Sequence, residues 1–186
     1  MLPRYPRFFC FFCQYDNPEK PVLMYINSPG TTTEQGLPVG FETEAFAIAD
    51  TMNYVSPPVH TLCVGKAYGL AAMLLACGHK GQRATLPYST VMLHQPRGQQ
   101  AQGQASDISI KAREVLVNRN AALEMMAGAT GKAIETLRAD TNRCLYLDAQ
   151  QAVDYGIVDK IVQTTKGGGT GDDRLEDVSE VSRGLG

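Results

Sequence analysis

The sequence predicts an α/β protein, and three observations carry that expectation. Short runs of β-branched and large apolar residues recur along the chain, at Pro21–Ile26, His60–Val64, Arg83–Leu86, Ser89–Leu93 and Ile157–Val162. Stretches with apolar residues at helical spacing alternate with them, so each helix returns the chain to one sheet. The segment Cys63–Gly78, CVGKAYGLAAMLLACG, reads as a strand, a tight turn of small residues and a buried helix in direct succession.

Taken in order, residues 1–15 (MLPRYPRFFCFFCQY) form an atypical opening segment. It is aromatic and short, and resembles neither a secretory signal nor a transit peptide. The strand at Pro21–Ile26 ends at Asn27-Ser28-Pro29-Gly30, and a polar, glycine-rich loop covers Thr31–Gly40. Glu42–Tyr54 is amphipathic, with Ala45, Ile48, Ala49 and Met52 on one face; Pro57 and Pro58 stop it. The strand His60–Val64 leads to Gly65 and the small-residue turn. The helix Ala71–Cys77 follows, with Gly78 as its C-cap. Two short strands flank Pro87, and His94-Gln95-Pro96 ends the second.

Arg97–Ser106, RGQQAQGQAS, carries no apolar side chain larger than alanine. Ser106 is the expected N-cap of a long helix reaching about Ala127, with Ile108, Ala112, Val115, Leu116, Leu123 and Met126 apolar. Gly128–Gly131 is expected to break it. A short helix (Ala133–Thr141), an extended piece (Cys144–Leu147), a last helix (Ala149–Tyr155) and a closing strand complete one domain, residues 16–163. Residues 164–186 turn to Gly, Asp, Ser and Glu and read as a disordered tail.

The bulk numbers narrow the function classes. The chain has 186 residues, 44% of them hydrophobic, a net charge of −2 and a pI near 5.9. That is enough for one cored domain and gives no electrostatic footprint for nucleic acid. No apolar run is long enough to span a bilayer. The five cysteines are scattered and odd in number, which points to a reducing compartment. Cys10 and Cys13 form a lone CxxC; without a second pair they read as two apolar thiols, and no metal is expected. His60 and His79 sit in no motif, and Glu42 and Glu44 read as a solvated helix face.

The strand–turn–helix at Cys63–Gly78 has the form of a nucleophile elbow, which lifts the residue at its tip out of the sheet. Here the tip is Gly69, which offers no side-chain atom to attack with.

Several motifs occur together and in order: Tyr25-Ile-Asn-Ser-Pro-Gly30, Gly65–Gly78, Met92-Leu-His-Gln-Pro96, Gly103-Gln-Ala-Ser-Asp107, Ala112-Arg-Glu114 and Ala152–Asp159. Together they resemble the ClpP family, the proteolytic subunits of the ATP-dependent Clp protease, over roughly Asp16–Val162. The resemblance implies the ClpP/crotonase-type fold, a repeated β-β-α superhelix with a protruding strand-helix handle. Arg97–Ser106 and the long helix match that handle, through which two rings meet.

Carried over residue by residue, the resemblance implies a damaged serine-peptidase site. The family's catalytic serine lies in a segment like GQAASMGA; here it is GKAYGLAA, so Gly69 is the vacant nucleophile position. His94 keeps the catalytic base. The aspartate's place, four beyond the Asp140-Thr141 pair, is Cys144. The oxyanion-hole amides would be those of Leu70 and Thr31, the second standing where the family has the last glycine of SPGG. The lost serine and the longer loop after Thr31 resemble ClpR, the non-catalytic paralogue of cyanobacteria and plastids.

The function implied is therefore a non-catalytic ClpR-like subunit of a mixed Clp protease core. It would complete stacked heptameric rings with ClpP/ClpR-type subunits and help dock an AAA+ Clp chaperone, with Tyr25 matching an aromatic docking position. It needs no cofactor, since ATP is used by the chaperone; unfolded polypeptides are the substrates; no nucleic acid or membrane is involved. The plastid stroma, or a cyanobacterial cytoplasm, is the implied compartment. Two alternatives differ in class. One is an active ClpP-type serine endopeptidase with a cryptic nucleophile. The other is a crotonase-like acyl-CoA enzyme, which the His94-Gln95-Pro96 run and the handle helix argue against.

Overall fold

The computed structural model describes residues 20–30, 42–95 and 103–162. Among them the chain runs β1 (Val22–Ser28), α1 (Glu42–Tyr54), β2 (Val59–Tyr68), α2 (Leu70–Ala76), β3 (Arg83–Thr85), β4 (Thr90–Leu93), α3 (Ala105–Thr130), α4 (Ile134–Asp140), β5 (Leu145–Leu147), α5 (Ala149–Tyr155) and β6 (Lys160–Ile161). The α/β expectation holds. The opening segment, the Thr31–Gly40 loop, most of Arg97–Ser106 and the expected tail lie outside the described residues.

β2 is the centre of the six-stranded sheet. One of its edges is taken by parallel β1, from Val22↔Val59 to Ile26↔Cys63, and again at Ser28↔Ala67. The other edge is shared. Thr61–Cys63 pairs with parallel β3, whereas Lys66–Tyr68 pairs with parallel β4. The change of partner falls at Gly65, which has φ +84, and the register with β1 slips at the same level. Ser89, in the turn between β3 and β4, closes the gap: its Oγ accepts from Gly65 N–H at 3.0 Å and donates to Cys63 O at 3.2 Å. β6 continues the sheet beside β3, and β5 is antiparallel to β4 at the opposite edge.

The sequence reading stopped this strand at Val64 and took Gly65 as the start of the turn. Instead the strand continues to Tyr68, and Gly65 marks a bulge within it, a role an isolated strand glycine often has. The turn is compressed to Gly69 alone.

α2 is apolar all round, as a helix buried on every side must be. Leu70, Ala71, Ala72, Met73, Leu75 and Ala76 are all buried, packed among β2, α1 and α3. Its alanines and Gly78 let it lie close on the sheet, where Thr61 Oγ1 donates to Leu75 O at 2.8 Å. Gly78 is not a left-handed cap as expected: Cys77 caps in the right-handed region, and a methyl at Gly78 would run into Thr61. The glycine is there for close approach.

Three further boundaries differ for local reasons. α3 starts at Ala105 behind Gln104, so Ser106 lies within the first turn and caps nothing. Gly128 is carried within the helix, which ends two residues later on left-handed Gly131 (φ +76). The closing strand shrinks to Lys160–Ile161, because Ile157 and Val158 are buried in the turn after α5 rather than paired. α5 matches its expected bounds, opened by a capping box between Asp148 and Gln151.

The parts are tied together by Arg83, only 5% exposed. Its Nε and Nη2 bind Asp159 Oδ2 and Oδ1 at 2.9 and 2.6 Å. Its Nη1 donates to Ala76 O at the end of α2 (3.1 Å) and to Ala129 O near the end of α3 (3.0 Å). One guanidinium thus closes two helix C-termini and pins the chain entering β6. Burial alone would raise the Asp159 carboxyl. The Arg83 bonds, the Arg83 and Gly81 backbone N–H groups and the guanidinium charge outweigh burial and hold it below its ordinary value.

Because its folded pKa is depressed, Asp159 contributes its full stability above the unfolded carboxyl value of 3.8 and loses it as pH falls through the lower folded value. Asp159→Asn should lower the unfolding free energy by about 3 kcal/mol at pH 7, since it leaves a buried cation unpaired. Urea titrations should show that gap shrinking at pH 3. A gap unchanged by acid would refute the assignment.

Candidate active site

The site forms where β2 runs into α2 and β4 ends beside them. Gly69 has φ +58 and ψ −117, a conformation that L side chains rarely adopt. It is fixed from both sides. Its N–H donates to Met92 O at 2.7 Å, and its own carbonyl accepts from Ala72 and Met73 at 3.1 and 3.3 Å. The elbow read from the sequence is present, with Gly69 at its tip.

His94 follows directly on β4. It is carried there by buried Leu93 and held by the next residue: Gln95 N–H donates to Thr141 O at 3.3 Å, and Gln95 Nε2 to Arg138 O at 3.2 Å. A Cβ on Gly69 would stand 2.5 Å from His94 Nε2 and 3.0 Å from its Cε1. The imidazole therefore lies against the tip of the elbow, partly in the space a side chain would need. The expected pair is brought together, and in closer contact than a serine could share.

The other ring nitrogen is engaged as well. Nδ1 lies 2.6 Å from Gln95 O; a carbonyl only accepts, so Nδ1 carries the proton and Nε2 faces Gly69 with its lone pair. A carbonyl of the adjoining residue thus orients the ring that a carboxylate would orient in a serine-hydrolase triad.

Cys144 lies on the stretch leading into β5. The ladder Val91↔Leu147, Met92↔Tyr146, Leu93↔Leu145 ends one step before His94 and Cys144 would face each other. Cys144 is exposed. Asp140, the nearest preceding carboxylate, accepts from the Tyr155 hydroxyl at 2.7 Å. Leu70 opens α2 and is buried, its N–H among the first-turn amides that lack an intrahelical acceptor. Thr31 lies outside the described residues. Gly30 before it (φ +85) packs so tightly on the elbow that a Cβ there would sit 2.5 Å from Tyr68 O.

Among the described residues, no other side chain of the groove is free to act as a nucleophile. Among the described residues lining the groove around Gly69 and His94, Thr141 brings the only hydroxyl, and it donates to Leu137 O at 2.6 Å. Cys63 is fully buried, and burial raises its thiol against weaker opposition from Ser89 and Thr85. Burial likewise pushes Cys77 up to about 11 despite the charge of Arg83. Neither is a thiolate at neutral pH. Among the described residues no three His, Cys, Asp or Glu side chains gather to hold a metal, and no helix is long and apolar enough to cross a membrane.

Tyr25, on β1, is 58% exposed and lies over a shallow hollow with Leu23, His60, Leu62 and Gln82. It is on the far part of the sheet from the elbow's groove, whose lining it does not share.

The sequence pattern of the Clp protease family matches residues 10–165. The chain belongs to the Clp protease family. It is 52% identical over 155 residues to a "Putative ATP-dependent Clp protease proteolytic subunit-like" protein of Synechococcus elongatus, covering 83% of this chain and 68% of that one. It is 49% identical over 150 residues to the chloroplastic "ATP-dependent Clp protease proteolytic subunit-related protein 1" of Arabidopsis thaliana, covering 81% of this chain but 39% of that one. To "ATP-dependent Clp protease proteolytic subunit 2" of Gloeobacter violaceus it is 43% identical, covering 82% and 66%. Within the Clp protease family the chain is thus a ClpR-like core subunit, and the family's ClpP/crotonase-type fold is the fold of this sheet and its helices. Nothing favours the crotonase-like enzyme.

Sequence reasoning missed one residue of the groove, Arg119 of α3. A signal was available: Val115, Arg119, Ala122 and Met126 share one helical face, so a cation occupies an apolar-periodic position.

The contact between Gly69 and His94 has a measurable consequence. Gly69→Ala should destabilise the chain by about 1–3 kcal/mol through backbone strain, with the steric clash in addition. In a His94→Ala background the clash is gone, so the same change should cost about 1 kcal/mol less, a coupling of the size expected for touching side chains. Additive losses in chemical denaturation would show that the imidazole does not lie on the elbow.

Proposed function

We propose that this chain is a non-catalytic subunit of a mixed Clp protease core, one that contributes ring surface and chamber wall while ClpP-type partners cut. The observation that carries the reading is the groove itself: an elbow with no side chain, an imidazole resting on it and, among the described residues lining it, no hydroxyl or thiol left free to attack. Acyl transfer needs a nucleophile within reach of the base and a group that holds the base in its working tautomer. His94 is a vestigial base with a carbonyl at its back, and Cys144 stands where the carboxylate would act.

The outer half of α3 supports the ring part of the reading. Ile110 and Val117 are 65% and 61% exposed, and Ile108 and Leu116 are also exposed, whereas Ala122, Leu123 and Met126 are buried. Apolar residues left uncovered along half of one helix mark a surface that another protein covers. On this reading it is the handle, meeting a second ring, and Tyr25 belongs to a chaperone-docking hollow. ATP is consumed by the AAA+ chaperone and unfolded polypeptide is the substrate. The organisms of the relatives support a plastid stroma or a cyanobacterial cytoplasm.

Co-expression with ClpP-type subunits, followed by native mass measurement, should find this chain in their rings. A serine-directed fluorophosphonate should label those partners and leave this chain unlabelled. Labelling of this chain would overturn the reading in favour of an active peptidase.

Gly69→Ser alone should recover little peptidase activity. Gly69→Ser with Cys144→Asp should exceed it by roughly 100-fold, since loss of the base-orienting carboxylate lowers kcat by up to ~10⁴ in a serine triad. Equal rates for the single and double variants in a fluorogenic peptide assay would remove Cys144 from the account.

A further inference from the structure

Among the described residues, the groove beside the elbow is lined by an arginine whose buried Nε has no hydrogen-bond partner. Arg119 is half-buried on α3, and its Nε is fully buried without a hydrogen-bond partner. The residues one turn away on either side, Val115, Leu116, Ala122 and Leu123, are apolar, so its own helix offers no carboxylate. The lining shared with Gly69 and His94 contains no Asp or Glu among the described residues; its walls are apolar, from Leu70, Met73, Leu93 and Met126. A buried N–H donor left without an acceptor is costly, and native structures rarely keep one without a reason.

We propose that this groove is a carboxylate site, with Arg119 as its cation, and that it takes the C-terminal carboxylate of a peptide ending in an apolar residue. The chemistry follows from the lining. A guanidinium presents N–H donors in a planar fork that matches a carboxylate. Apolar walls with one fixed charge suit a ligand with an apolar side chain and one anionic end. His94, with its proton on Nδ1 toward Gln95, offers only a lone pair toward the elbow in its neutral form, so the positive charge comes from Arg119. Without a nucleophile, a peptide seated here is held and not cut. The proposal rests on the reading above only for the origin of the peptide, since cutting by active partners creates new C-terminal carboxylates inside the chamber.

The test is binding of a fluorescent hexapeptide ending in leucine to the purified full-length chain, followed by polarisation. Three forms are compared: the free acid, its C-terminal amide, and an amide ending in glutamate. The free acid should bind at least about tenfold tighter than the leucine amide, a modest share of what a charge-assisted pair is worth. Arg119→Met should abolish that discrimination, and Arg119→Lys should keep part of it. Because the buried Arg119 Nε makes no hydrogen bond, Arg119→Met should leave the thermal midpoint unchanged or raised, which separates a binding role from a structural one.

Equal binding of free acid and amide, no binding of either, or discrimination that survives Arg119→Met would each overturn the proposal. Tight binding of the glutamate amide would overturn the C-terminal assignment, showing that side-chain carboxylates are read instead. Failure to join ClpP-type rings, with acid discrimination intact, would sink the proposed function and spare the site.

Discussion

The described fold depends on what β2 does along its length. It begins beside β3, changes to β4 at the Gly65 bulge, and stops at Gly69, where the chain turns at once into α2. Each of these moves constrains the next. If β2 kept one partner, β4 would have no edge to join, and His94 at its end would not arrive at the elbow. The bonds that fix the transition are few: Ser89 across the bulge, and Gly69 N–H to Met92 O at the tip. They fall on backbone groups that would otherwise be buried without partners, which is why so short a stretch can determine so much.

That constraint explains how a catalytic geometry outlasts its chemistry. The tip conformation at φ +58 is strained for any residue with a side chain, and glycine relieves the strain. Glycine at the tip therefore keeps the backbone path without that tension. Space is freed at the same place, and the imidazole fills it. While the ring lies against Gly69 with Nδ1 on its neighbour's carbonyl, a carboxylate at position 144 has no ring proton to accept; only a side chain at position 69, by displacing the ring, would free that proton. Positions 69 and 144 are thus physically linked: the residue at the first decides whether the ring can reach the second.

Much of this was legible in the residues. α1 and α5 have the bounds their periodicity and capping residues predicted, and the elbow was visible as small residues between a β-branched run and an apolar helix. What was not legible came mostly from glycine, whose meaning depends on partners distant in sequence. Gly65 read as a turn and is a bulge, because only the three strands around β2 reveal where pairing changes. Gly78 read as a cap and is a contact surface for Thr61. Gly128 read as a breaker and is tolerated, since the helix around it is held at Ala129 O by Arg83. The Nδ1 bond of His94 could not be read at all, being a matter of ring orientation. Arg119 could have been, had its place on the apolar face been weighed against the residues a turn away.

The same helix shows how one element can serve two purposes. α3 has almost no amphipathic contrast over its full length, because its halves obey different rules. From Ala122 onward the apolar side chains pack on α2 and the core, while before it Ile110 and Val117 stand in solvent. Arg119 sits at the changeover, where the helix leaves the core and the elbow's groove opens beneath it. A long arginine stem suits that boundary, since its methylenes can cover apolar wall while its head reaches past it. What is unusual is the buried Nε: Arg83 satisfies its Nε, Nη1 and Nη2 with protein oxygens, whereas the Nε of Arg119 has no acceptor. The two arginines thus differ in kind: Arg83 has every guanidinium nitrogen bonded to the fold, whereas Arg119 keeps a buried donor that the fold does not use.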